Sequence, residues 1–567
     1  MVVAGCWMKS WLLLHSVLNT AVAYHRPSSP DDPPVGRGRG VHLPLIRAPN
    51  SVSMERREES GSARLGNYLD LVMVEINGIA TPVLIDTGSS DLWVVSDACT
   101  TGCDDASGIP LIPHSVVNST GIDVSLLYGD SGTGTYAYGI IGNGNVDLAE
   151  LRVSAQQFAM INRTNADVIE SGSSGILGLG FPINSVLWNT IFVDQYLHSN
   201  PSEQSDTLSL TPRQPPRSHQ RHSFPRSGLR HSHFPDLSFS DAEIAHTDQH
   251  SARATDSLSD LVFRSYGDIA PFLGRLIATK EIDPIFAVTL QRDTVDIGGN
   301  IGQLSIGGFP PGVQNDSFTW VPVRGYTRNQ GGLPAPVDSP GETYPIAWEI
   351  PVDDVYLDGK ILPRSNLSSS SISLSALIDT GNSLIRGPED VVGEIDRRIG
   401  SSFPCSEPHT LAFSIGGKLF PVDPRDFLFQ EYTNSVSICN ANVVATDPPA
   451  VGGYLFSWSL GTPFLKSVMS AFYYGDLQYP SRDPPRVGLM STVPQDASER
   501  LQIAIKSANS GDGSFPYSSE PAPATHTSST QNAKIPEPTE SAISTPTLGE
   551  GQISWATKNS MHNWDVL

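Results

Sequence analysis

Two short stretches carry residue types that hydrolytic chemistry can use. Val83-Leu84-Ile85-Asp86-Thr87-Gly88-Ser89-Ser90-Asp91-Leu92-Trp93-Val94 runs as an apolar strand into a carboxylate, turns at a glycine and becomes apolar again. Ala376-Leu377-Ile378-Asp379-Thr380-Gly381-Asn382-Ser383-Leu384-Ile385 repeats the pattern far downstream. A lone carboxylate at the end of a buried strand is costly unless it is hydrogen-bonded or shares a proton with a neighbour. Two such ends brought together relieve each other. The ionised member of the pair can take a proton from a water between them while the other donates one to a carbonyl oxygen, so water is the nucleophile and no acyl intermediate is needed. One Asp-Thr-Gly alone is an ordinary strand-to-turn corner. The repeated apolar lead-in turns the pair into a signal.

The elements that must position these acids repeat as well. Gly178 of Ile176-Leu177-Gly178 lies 92 residues after Asp86, and Gly461 of Ser459-Leu460-Gly461 lies 82 after Asp379. An internal repeat of a half-molecule predicts two similar lobes with a site between them. Short Val/Ile/Leu runs alternate with turn residues, and 50 Gly and 45 Pro in 567 residues fit an all-β fold with a few short helices. Asn77-Gly78, after the alternating run Tyr68 to Ile76, predicts a hairpin. Further strands are expected at Pro284 to Leu290 and Gln303 to Gly308, with a polar loop from Arg324 to Gly341.

A formal charge of −23 argues against nucleic acid or an anionic membrane as partner. Residues 1–23, with Lys9 before the apolar run Trp11 to Val22 and Ala21-Val22-Ala23 as cleavage site, read as a signal peptide, too short to span a bilayer. Residues 24–62 read as a prosegment or flexible leader with Arg56-Arg57 as a dibasic processing point, or alternatively a solvated charge cluster. Residues 198–259, rich in Ser, Pro, Arg and His, read as a disordered insert or as a translated intron. Its His219, His222, His231, His233, His246 and His250 follow no ligand register, so no metal is assigned. Residues 498–567 read as a Ser/Thr/Pro-rich disordered tail whose end is too polar for a lipid-anchor signal, which predicts release rather than anchoring. Asn118, Asn162, Asn315 and Asn366 head N-glycosylation sequons. Of five cysteines, Cys6 falls in the segment to be removed, and the other four lack the accompanying ligands that zinc needs.

From about Asn67 to Met490, with one long interruption, the chain resembles the pepsin-like aspartic proteases of the secreted fungal kind. The likeness rests on both Asp-Thr-Gly motifs, Tyr128-Gly129-Asp130, Gly175-Ile176-Leu177-Gly178-Leu179-Gly180, Trp348-Glu349-Ile350, Leu460-Gly461-Thr462-Pro463-Phe464-Leu465 and Val487-Gly488-Leu489. It implies a bilobal pepsin-like fold, with an N-terminal lobe over residues 63–197 and the junction and C-terminal lobe over 260–497. It also implies a monomeric, secreted, extracellular endopeptidase acting on peptide or protein substrates at acid pH, without cofactor or metal. Asp86 is then the base and Asp379 the acid. Thr87 and Thr380 send hydroxyls to the opposite lobe, Gly88 and Gly381 allow close approach of the loops, and Ser89 hydrogen-bonds Asp86. Asn382, where the family usually has Thr or Ser, is expected to donate to Asp379, and Thr462 replaces a common acidic residue.

Tyr128 and Gly129 resemble the closing flap, with Trp93 as indole partner. Asp130 matches a flap acid that admits Lys before the cleaved bond beside the usual apolar preference. The resemblance pairs Cys99 with Cys103 and Cys405 with Cys439. No Lys lies between Lys9 and Lys280, so the family's prosegment lysine has no counterpart. The competing reading is a non-catalytic binding or inhibitor protein on the same fold. Such proteins usually lose an Asp, a Gly or the flap Tyr, and this chain keeps all three. No Gly-x-Ser-x-Gly elbow supports a serine hydrolase.

Overall fold

A computed structural model describes residues 40–45, 71–103, 109–130, 134–166, 168–169, 172–197, 258–290, 302–432, 434–449 and 454–515. The proposed signal peptide, Arg56-Arg57, the His-rich part of the insert and the chain beyond Phe515 lie outside the described residues.

Strand Leu71–Ile76 buries Leu71, Val72, Val74 and Ile76 while Met73 and Glu75 face solvent, the period of two that a half-buried strand imposes. It turns back into Ile79–Asp86 through Asn77 and Gly78, both at positive φ (50° and 83°), as the Asn-Gly hairpin signal requires. A seven-stranded sheet follows in the order Leu71–Ile76, Ile79–Asp86, Gly175–Gly178, Leu92–Val95, Leu151–Thr164, Thr135–Leu148, Asn118–Tyr128. Its first strand also pairs with Thr135–Leu148, at Glu75 with Asp147, so the sheet curls back on itself around an apolar core. The second lobe holds a five-stranded sheet, Glu349–Pro351, Ser375–Ile378, Trp458–Leu460, Ile385–Pro388, Val443–Thr446, and a four-stranded one. The mostly β, two-lobed expectation is met.

The internal repeat is visible in the register. Ile79–Asp86 pairs parallel with Gly175–Gly178, placing Ile85 beside Leu177, and Leu92–Val95 pairs antiparallel with the same strand. Ser375–Ile378 pairs parallel with Trp458–Leu460, placing Ile378 beside Leu460, and Ile385–Pro388 pairs antiparallel with that strand. Each Asp therefore leaves a strand that is hydrogen-bonded to the same short partner that receives the chain after the turn. The lobes join over a six-stranded sheet containing Ile285–Thr289, Val468–Tyr473 and Arg486–Ser491. Trp348 Nε1 and the Tyr474 hydroxyl both donate to the Leu179 carbonyl, at 2.9 and 2.8 Å, and Phe181 packs on the Trp348 ring at 4.3 Å.

Two spans read as unstructured contain ordered elements. Val41–Pro44, inside the leader, is an edge strand paired with Gln303–Ile306. Ala497–Ser510, which runs from the last residue assigned to the lobe into the tail, is a helix that buries Ala497, Leu501, Ala504, Ile505 and Ala508 on one face. That spacing is the helical period, hidden among Ser, Glu and Lys. Phe515 N donates to Gln430 Oε1 at 2.8 Å, and Gln430 Nε2 to the Gly513 carbonyl at 2.9 Å, so the folded region reaches at least Phe515.

Candidate active site

The two turns meet in mirror fashion. Thr87 N donates to Thr380 Oγ1 and Thr380 N to Thr87 Oγ1, both at 3.0 Å. Thr87 Oγ1 donates on to the Ile378 carbonyl at 2.7 Å, and Thr380 Oγ1 to the Ile85 carbonyl at 2.9 Å. Each hydroxyl thus accepts from one lobe and donates within it, so four buried bonds fix the two loops to each other. Gly88 N donates to Asp86 Oδ1 at 2.8 Å and Gly381 N to Asp379 Oδ1 at 3.0 Å. A Cβ on Gly88 would stand 2.5 Å from Asp379 Oδ1, and one on Gly381 2.4 Å from Asp86 Oδ1. Only hydrogen fits there, and the glycines are what let the carboxyl groups face each other.

Asp86 and Asp379 face each other across the paired glycines, and both carboxyls are held above the ordinary carboxylate range, chiefly by burial. For Asp379 the negative charge of Asp86 adds to the rise; the Gly381 N–H and the Arg386 charge oppose it. Asp86 receives more help for its ionised form, from the Ser89 hydroxyl and the N–H groups of Gly88 and Ser89. Such donors favour the charged state. The pair can therefore keep one proton between them.

Above the loops, Asn118–Tyr128 and Thr135–Leu148 form a long hairpin that carries Tyr128. The Tyr128 hydroxyl keeps its proton because of burial first and then the charges of Asp91 and Asp86. Asp91 caps helix Val186–Phe192, accepting from Ser185 Oγ and from the N–H groups of Val186 and Leu187 at 2.9 and 3.3 Å. Burial, which outweighs these bonds, pushes its carboxyl up to about 6.

A family model described as eukaryotic aspartyl protease matches residues 67–210 and 251–479, more than half of the chain. The chain belongs to the eukaryotic aspartyl proteases. Among its curated relatives, cathepsin E-A of Xenopus laevis is 25% identical over 455 residues, 77% of this chain and 83% of that protein. Cathepsin E of Mus musculus is 24% identical over 446 residues, 76% and 82%, and napsin-A of Homo sapiens 29% over 218 residues, 36% and 44%. As a member of this family the protein is a hydrolase of peptide bonds, an aspartic-type endopeptidase.

In this aspartyl protease Asp86, Thr87, Gly88, Ser89, Asp379, Thr380 and Gly381 converge at one place. Asn382 does not reach Asp379 as expected. Its Nδ2 donates to Ser459 Oγ at 2.9 Å, and Ser459 Oγ faces Asp379 Oδ2 at 3.4 Å, so a serine stands between amide and acid. Thr462 N and Oγ1 both donate to the Asn382 carbonyl, at 2.7 and 3.2 Å, closing the turn. Trp93 is fully buried beneath Tyr128, and its Nε1 makes no hydrogen bond among the described residues. Gly129 is at φ 81°, and Asp130 reaches the second lobe, bound by Arg386 Nη1 at 2.8 Å and Thr446 Oγ1 at 3.2 Å.

Both disulfides, Cys99–Cys103 and Cys405–Cys439, are present. Asn118 and Asn366 are exposed and Asn162 and Asn315 partly so. No group of metal-ligating side chains occurs among the described residues, nor any helix long and apolar enough to cross a membrane.

Sequence reasoning missed Ser459 and Arg386. Both carried a signal. Ser459 stands where the first half has Ile176, and Arg386, directly after the apolar pair Leu384-Ile385, stands where the first half has Trp93.

Proposed function

We propose that this protease cleaves peptide bonds with a water activated between Asp86 and Asp379, Asp86 as general base and Asp379 as general acid. The observation that carries the reading is the closeness of the two carboxyls, each against the opposite glycine, inside a buried frame of threonine bonds. Two acids so placed hold a single proton. The richer donor set on Asp86 supports it as the ionised partner, and the poorer one on Asp379 as the proton holder. Asp86 takes a proton from water as the oxygen attacks the peptide carbonyl, and Asp379 gives its proton to the carbonyl oxygen. The tetrahedral diol then collapses as a proton moves to the departing nitrogen. Because the working state needs exactly one proton on the pair, activity lies on the acid side and fails when that proton is lost. Tyr128 on the hairpin covers the site and excludes bulk water.

An apolar residue before the cleaved bond is the preferred substrate feature. Tolerance of lysine there, expected from Asp130, would require the substrate to displace Arg386 from that carboxylate. Two disulfides and four sequons support a secreted protein folded under oxidising conditions, acting as a monomer.

The test is hydrolysis of a denatured protein from about pH 3 to 7, with and without a statine-type transition-state mimic. Wild type should cut and be blocked. Asp86→Asn and Asp379→Asn should each lose at least about a thousandfold in kcat with little change in KM. Cutting that survives either change overturns the assignment.

A further inference from the structure

The repeat gives two strand positions the same place in the fold. Trp93 pairs with Ile176 in the first half, and Arg386 pairs with Ser459 in the second. Both lie seven residues beyond their Asp, and both face the same hairpin, Trp93 under Tyr128 and Arg386 on Asp130. The side chains of Arg386 and Asp130 are only 17% and 10% exposed, so this is no surface ion pair. The guanidinium works in two directions. Nη1 donates to Asp130 Oδ2, and Nε donates to Asn382 Oδ1 at 3.3 Å. The Leu384 N–H donates to the same Asn382 oxygen at 3.1 Å, which leaves the amide nitrogen turned to Ser459 and Ser459 turned to Asp379.

We propose that Arg386 is a cross-cleft positioning residue of this protease. One guanidinium ties the flap hairpin to the second lobe through Asp130 and, through Asn382 and Ser459, orients the hydroxyl that faces Asp379. The proposal rests on the aspartic-protease reading of the dyad. It says that flap position and proton placement are set by the same side chain. Three consequences follow from the contacts. Without Arg386 the hairpin loses the charged bond from Asp130 to the second lobe, while the Thr446 hydroxyl bond remains. Asp130, relieved of the Arg386 charge, attracts a basic side chain of the substrate more strongly. The charge that holds the Asp379 carboxyl down is removed, among the groups Asp86, Asp379, Asp130, Asp91 and Tyr128 that face this region.

Arg386→Met keeps the apolar stem and removes the charge, Arg386→Lys keeps the charge without the planar fork, and Asp130→Asn removes the other end. Amide hydrogen exchange of ligand-free protein over Leu126 to Tyr128 and Thr135 to Ala137 reads the tether directly. It should speed up by roughly tenfold in Arg386→Met and in Asp130→Asn, and no further in the double variant, because the two changes break one contact. In kinetics, the alkaline limb of kcat should move to higher pH in Arg386→Met, stay put in Asp130→Asn, and be restored in part by Arg386→Lys. A peptide with Lys before the cleaved bond should gain roughly tenfold over its norleucine counterpart in Arg386→Met and nothing in the double variant.

Unchanged exchange, additive effects in the double variant or an unmoved alkaline limb would each overturn the proposal. A protein that shows the exchange changes but cuts nothing refutes the protease reading and leaves the tether standing. One that cuts normally with unchanged exchange refutes the tether alone. If Arg386→Met fails to fold, Asp130→Asn and Arg386→Lys still decide the exchange result.

Discussion

Thr380→Val tests whether the threonine frame, rather than the acids alone, makes the site. Valine has nearly the shape of threonine, so no cavity opens and no bulk is added. What disappears is one hydroxyl with two buried partners, the Thr87 N–H at 3.0 Å and the Ile85 carbonyl at 2.9 Å. Each is left without a bond where water does not reach, at about 1–3 kcal/mol apiece, so the variant should lose about 2–6 kcal/mol of stability. Thr380→Ser, which keeps the hydroxyl, should stay within about 1 kcal/mol of wild type. Thr87→Val should resemble Thr380→Val, since its own hydroxyl makes the mirror pair of bonds. Combining the two valines should cost less than the sum, because either change alone already loosens the bridge. Urea unfolding followed by intrinsic fluorescence, and kcat on the same preparations, measure both effects. The Thr380→Val loss in kcat should exceed any change in KM, since the acids move relative to each other before substrate is felt. If Thr380→Val unfolds within about 0.5 kcal/mol of wild type and keeps its kcat, the frame is ornamental and the mechanism must rest on something else.

Stability should fall as pH rises. Asp91 titrates at about 6 in the fold against about 3.9 in an unfolded chain. The folded state therefore binds the extra proton between those values, and its advantage, full below about 4, is lost as pH passes about 6, a change of about 3 kcal/mol. The dyad carboxyls, also raised, act with the same sign. Urea midpoints at pH 4 and 7 should differ accordingly, and Asp91→Asn should shrink the difference; equal midpoints in wild type would contradict the burial argument. The disulfides should be unequal. Cys405–Cys439 closes a separation of 34 residues and Cys99–Cys103 one of 4, so by chain entropy removing the first costs about 4 kcal/mol and the second about 2. Thermal unfolding of the paired Cys→Ala variants would check the order.

The dyad and its grip were legible in the chain because they are written twice; a repeated apolar strand, Asp, Thr and Gly can hardly mean anything but two ends that meet. The Asn77-Gly78 hairpin was legible because its backbone demands those residues. Val41–Pro44 was not, since a four-residue edge strand takes its identity from Gln303–Ile306, more than 250 residues away. The helix at Ala497–Ser510 was hidden by its composition, although its apolar positions keep the right interval. Asn382 misled because the resemblance puts a hydroxyl at that place and carries its bond to Asp379 over to an amide, whereas the serine that comes between belongs to a strand 77 residues on. Arg386 could have been suspected from its place alone, a cation in a strand otherwise built to be buried, but the sequence offered Glu389 and Asp390 close by and gave no sign that its partner is Asp130, 256 residues away.

The closing helix and the Gln430 bonds to Gly513 and Phe515 have a mechanical meaning. Any pull on the chain beyond Phe515 arrives first at the hairpin Leu428–Tyr432 and Ser435–Ala441, whose Cys439 is bolted to Cys405. Such a load would be carried by covalent sulfur and a packed helix rather than by the facing threonines. A molecule tethered by its far end could be tugged without slackening the blades of its own shears.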